Sequence, residues 1–94
     1  MENKKIIAKE LVSDSQGKVF KVTVHEGKEV SEHIVSLTED VFIRIGTGKS
    51  RSELVEAVFR YLLEREDKEE ISGSFDIFDI CQNFPDIEKD IGNY

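Results

Sequence analysis

At Thr38 the hydrophobic pattern of this chain changes period, and that change constrains the fold more than any other feature. Upstream, Val19-Phe20-Lys21-Val22-Thr23-Val24-His25 alternates, with Phe20, Val22 and Val24 on one side and Lys21, Thr23 and His25 on the other. That is the period-2 pattern of a half-buried strand. Downstream, Val41, Phe42 and Ile45 fall at helical spacing, and Leu54, Ala57, Val58, Tyr61 and Leu62 then form one stripe, as an amphipathic helix requires. Strands followed by helices predict an α+β fold with an antiparallel sheet.

The elements follow from their punctuation. Residues 5–26 read as a hairpin around the turn formers Ser13-Asp14-Ser15-Gln16-Gly17, where Gly is free to take a positive φ. Gly27-Lys28 makes a second turn, and residues 30–38 a third strand. Thr38 followed by Glu39-Asp40 starts a short helix that Gly46 and Gly48 end. The main helix, residues 50–66, opens on Ser50 with Glu53, the spacing of a capping box. Val55, Phe59 and Leu63 widen its stripe beyond what one contact needs. Asp76 opens a further short helix, and Pro85 the last helical turn. The expected architecture is about three N-terminal strands packed on one main helix and short C-terminal helices. One domain over residues 1–94 is expected, a β meander over 1–38 and a helical part over 39–94. Phe75, Phe78, Ile80, Phe84, Ile87 and Ile91 are expected to fold back onto the main helix.

Charge separates the two parts. Residues 1–52 carry nine Lys/Arg against eight Asp/Glu, and residues 53–94 carry four against twelve. The net charge of −7 disfavours phosphate backbones and anionic lipid, and suits a basic partner. Cys81 is the only cysteine, so neither a disulfide nor a cysteine-based zinc site is expected, and a reducing, cytoplasmic setting fits. Met1-Glu2-Asn3-Lys4-Lys5 leads into too few apolar residues for a secretory leader. No apolar run approaches the roughly 20 residues that span a bilayer.

Candidate chemistry is sparse. Ile43-Arg44-Ile45-Gly46-Thr47-Gly48-Lys49-Ser50 has the Gly-Lys-Ser of a phosphate-binding loop, but Ile43 stands at the first glycine position. A flexible loop that ends one helix and caps the next is the plainer reading. His25 and His33 have no partner ligand at metal spacing and read as sheet-surface residues. Asp76 and Asp79 read as a cap and a solvated position. No nucleophile elbow is present, and no carboxylate pair is singled out as acid and base. A non-enzymatic chain without cofactor or metal is expected.

Ile34-Val35-Ser36-Leu37, Thr38-Glu39-Asp40-Val41-Phe42 and Ser50-Arg51-Ser52-Glu53-Leu54-Val55 together resemble a ribbon-helix-helix segment. That family dimerises and places paired strands in the DNA major groove. The resemblance implies a transcriptional regulator or antitoxin, with Ser36, Lys49 and Arg51 as DNA contacts. Here the first helix has room for about two turns, and the strand offers no Arg or Lys. Residues 53–91 are also similar to a small family of uncharacterised prokaryotic proteins. Its members carry a Leu-Leu-Glu-Arg-Glu helix, a Phe-Asp-Leu-like step and a Phe-Pro-Glu-Tyr-Glu-like ending; this chain has Asp86-Ile87 where Glu-Tyr is usual. That resemblance implies a prokaryotic, cytoplasmic protein and no particular activity. The preferred expectation is an acidic protein-interaction or accessory module, as a homodimer or with another protein. Val55, Phe59, Leu63, Phe84 and Ile87 are its candidate partner surface.

Overall fold

The computed structural model describes residues 4–94, apart from the side chain of Lys68. Met1–Asn3, which the sequence places ahead of the hairpin, lie outside the described residues. The fold is α+β: strands β1 (Lys4–Asp14), β2 (Gly17–Glu26) and β3 (Glu29–Thr38), then helices α1 (Glu39–Ile45) and α2 (Arg51–Leu63). A 3-10 turn (Lys68–Glu70), strand β4 (Ser74–Asp76), helices α3 (Ile77–Asn83) and α4 (Ile87–Asp90) and a final 3-10 turn (Ile91–Asn93) complete it.

The sheet has the order β1-β2-β3-β4. Both hairpins are antiparallel, and Gly27 takes φ 62° in the turn between Glu26 and Glu29. Gly is the residue that a two-residue turn with a positive first φ requires. Strand β1 carries a bulge between Glu10 and Val12.

Strand β4 was not foreseen. It runs parallel to β3, with Ile34, Val35 and Ser36 opposite Ser74, Phe75 and Asp76. The Ile34 amide donates to the Gly73 carbonyl at 2.9 Å, and the Ser36 hydroxyl donates to Asp76 Oδ2 at 2.7 Å. So the segment after residue 38 is not wholly helical, because part of it returns to complete the sheet.

Helix α2 lies at the centre of the core. Seven of its thirteen residues are buried: Leu54, Val55, Ala57, Val58, Phe59, Tyr61 and Leu62. Burying a Val, Leu or Phe side chain stabilises by about 1.5–3 kcal/mol, so this helix makes the largest apolar contribution of any one element. One flank meets the sheet: the Phe59 ring lies 5.2 Å from His33 and 5.8 Å from Phe75. The other meets the C-terminal segment, where Tyr61 packs edge-on against Phe84 and Tyr94. Ile87 and Ile91 are buried, and Phe75, Ile80 and Phe84 are half-buried against the same cluster. Phe78 departs from the expectation, since it stands 44% exposed on α3. No helix among the described residues is long and apolar enough to cross a membrane.

Candidate interaction surface

The Gly-Lys-Ser loop resolves into helix chemistry. Thr47 and Gly48 both take positive φ, 48° and 80°, and turn the chain from the end of α1 into α2. The Glu53 amide then donates to Ser50 Oγ at 3.2 Å, and the Ser50 amide donates to Glu53 Oε1 at 2.8 Å. This is a complete capping box. The Ser50 amide, one of the donors a phosphate-binding loop would offer, is thus taken by a carboxylate of the helix itself.

Ser50→Ala should lower stability by about 1 kcal/mol, within the usual 0.5–2 range for an N-cap, read as a shifted midpoint in urea. The hydrogen bond from the Ser50 amide also holds the Glu53 carboxyl below its usual range. A lowered carboxylate pKa contributes stability that is fully present above the ordinary value of about 4.3 and is lost as pH falls through the lowered value. Glu53→Gln should therefore flatten the acid side of the stability–pH curve, measured by circular dichroism, and leave its neutral region with a smaller slope change.

The three residues assigned to DNA contact are not brought together. Ser36 lies on the outer, helix-free face of the sheet and is bonded to Asp76. Arg51 lies on the helix side, where Nη2 and Nε hold the Glu39 carboxylate at 2.7 and 3.1 Å and the guanidinium covers the Phe42 ring. That hydrogen bond also keeps Glu39 below the usual carboxylate range. Lys49 is half-buried in the loop, with its amide bonded to the Gly46 carbonyl. Strand β3 has neighbours on both sides over Ile34–Ser36, whereas an intermolecular ribbon needs a free edge.

The histidines divide. His25 is a half-buried residue of the outer face, but His33 is buried at 2% exposure on the helix side, correcting its reading as a surface residue. Its Nδ1 contacts the Ser72 carbonyl at 2.8 Å and its Nε2 the Ser31 hydroxyl at 3.0 Å. A buried imidazole with both nitrogens bonded fits an interior, and here it tethers the approach to β4. Asp76 caps α3 through the Phe78 amide at 2.8 Å. Cys81 is buried, and burial raises its thiol pKa. Among the described residues no group of three His, Cys, Asp or Glu side chains is placed to hold a metal ion.

The candidate partner residues on α2 and in the C-terminal segment lie largely inside the fold. Val55, Phe59 and Ile87 are fully buried within the chain, and Phe84 is half-buried against Tyr61. Leu63 lines one groove with Ile6 and Tyr94, and Phe84 lines another with Phe75 and Ile80. The C-terminal segment covers the rest.

Exposed apolar surface lies instead on the sheet. Registers place Lys5, Ile7 and Lys9 of β1 beside Thr23, Lys21 and His25 of β2, and Val30, Glu32 and Ile34 of β3 beyond them. Ile7, Val12, Val30 and Ile34 are 39–55% exposed there, interleaved with lysines on a chain that is acidic overall. Strand β1 forms an eleven-residue edge of the sheet. Leu11, on its bulge, is also exposed. Adjacent apolar residues at Ile6-Ile7 and Leu11-Val12 were the available signal, because a strand wetted on one face places only every second apolar residue inward. Comparison with protein-family models, curated proteins and solved structures finds no match to this chain.

Proposed function

We propose that this chain is a non-enzymatic protein-binding module, an accessory component that engages other polypeptides through the β1 edge and the adjoining outer face. The supporting observation is the long edge itself. A strand at a sheet edge presents unpaired amides and carbonyls, and natural proteins blunt such edges by shortening, charging or covering them. Strand β1 carries charge and a bulge but is neither shortened nor apolar-free, since Ile7, Leu11 and Val12 are exposed along its eleven residues. An extended segment that adds to such an edge gains main-chain hydrogen bonds, while its alternate side chains meet the face below.

Selection from a library of displayed extended peptides, followed by hydrogen exchange, tests the reading. Enriched peptides should slow exchange of the β1 amides that do not bond to β2. Peptides that bind but leave β1 exchange unchanged would move the site elsewhere. A failure to enrich, together with β1 exchange independent of protein concentration, would sink the proposal.

A further inference from the structure

The charge pattern of β1 specifies one occupant for that edge. Lys4, Lys5 and Lys9 fill its first part, and Glu10 and Asp14 its second. An antiparallel copy of the same strand therefore meets opposite charge at both ends. We infer that the β1 edge pairs with the β1 edge of a second copy, giving a two-fold homodimer with one continuous eight-stranded sheet. This rests on the reading of β1 as the binding edge and names its partner.

The bulge selects the register. A two-fold axis normal to the sheet keeps both outer faces on one side, so outer residues must oppose outer residues. Before the bulge the outer residues are Lys5, Ile7 and Lys9, since Ile6 and Ala8 pair with the buried Val24 and Val22. After it they are Val12 and Asp14, since Val12 pairs with Val19 and Ser13 with Lys18. One extra residue has changed the parity. Sliding Ile7 opposite Val12 of the second copy then sets Lys5 opposite Asp14 of the second copy, and the symmetry repeats both pairs. Away from the two bulges, which face each other at the centre with Lys9 opposite Glu10, outer residues meet outer residues, apolar meets apolar, and cation meets anion. A slide by one residue loses the Ile7–Val12 match and sets outer residues against inner ones, because it turns every side chain toward the wrong face. The groups are free to pair. Among the described residues Lys5 is in no ion pair, and the Asp14 carboxylate is engaged through Oδ1, which accepts from the Gln16 and Gly17 amides.

Sedimentation velocity and paired cysteine variants test this. Wild-type chain should show a dimer at about 100 µM, and Lys5→Glu should weaken it about tenfold, with the loss partly relieved by adding Asp14→Asn. Val12→Lys, at a position already exposed, should leave the circular dichroism spectrum intact and abolish the dimer. Mixed Ile7→Cys and Val12→Cys chains should oxidise to the 7–12 disulfide in preference to either homodisulfide. A monomer throughout, or a dimer indifferent to Val12→Lys, overturns the inference, as does cross-linking without preference for 7–12. If the chain is monomeric while selected peptides still protect β1, only the dimer fails; if neither occurs, the binding-edge reading fails with it.

Discussion

Phe59→Ala is expected to be the most damaging single replacement in this chain. The ring is fully buried and sits between His33 of β3 and Phe75 of β4. Truncating a buried Phe costs about 3–5 kcal/mol, the lost transfer energy plus the cavity left behind. Domains have only about 5–15 kcal/mol in total. At about 4–8 °C per kcal/mol for a domain of this size, the melting temperature should fall by more than about 12 °C. The β4 pairing should loosen with it, because Phe75 loses the ring it packs on. Phe78→Ala is the control. Phe78 is as apolar in sequence but 44% exposed, and its loss should stay near 0.5 kcal/mol. Thermal melts of the two variants decide the matter; similar losses would mean that the core is not centred on α2.

Gly17→Ala is the second. Gly17 starts β2 and pairs with both Asp14 and Thr38. A Cβ built there lies 2.5 Å from the Leu37 carbonyl oxygen and 2.9 Å from the Thr38 Cα. Both are backbone atoms, so no side chain can rotate away, and β2 and β3 must part at that end. Overpacking of this kind costs about 1–3 kcal/mol. The strain also reaches Thr38, whose hydroxyl accepts from the Val41 amide to start α1, and the nearby bond from the Glu39 amide to the Gln16 carbonyl. A lowered urea midpoint with an unchanged slope is expected. Gly27→Ala meets open space, and its cost comes only from φ 62°. The two replacements thus separate steric closeness from backbone conformation.

The contrast between these glycines explains what the sequence could convey. Local signals were legible: the alternation over residues 19–25, the Thr38 cap and the Ser50–Glu53 box each depend on residues within a span of seven positions or fewer. Gly17 was legible as a turn former but not as a close approach, because its neighbours are twenty residues away in β3. The same limit hid β4. Three residues are too few for a period to show, and Phe75 gains its meaning from Val35 and Phe59. The width of the apolar stripe on α2 correctly demanded cover on two flanks. It does not say whether that cover belongs to the same chain, which leaves Val55, Phe59 and Ile87 open to either interior or surface roles until the sheet and C-terminal segment are placed. The edge of β1 was missed for a related reason: which strand is outermost is a property of the whole sheet.

The parallel pairing of β4 has a kinetic consequence. Ser36 and Asp76 meet across a sequence separation of 40 residues, whereas the meander closes through short turns. Closing a long loop costs entropy that later contacts repay only once they form. The meander and the two helices are therefore expected to assemble before β4 and the C-terminal segment dock. Until then the inner faces of β2 and α2 lack their last cover, and the chain emerging from synthesis must complete its final turn to protect the centre built first.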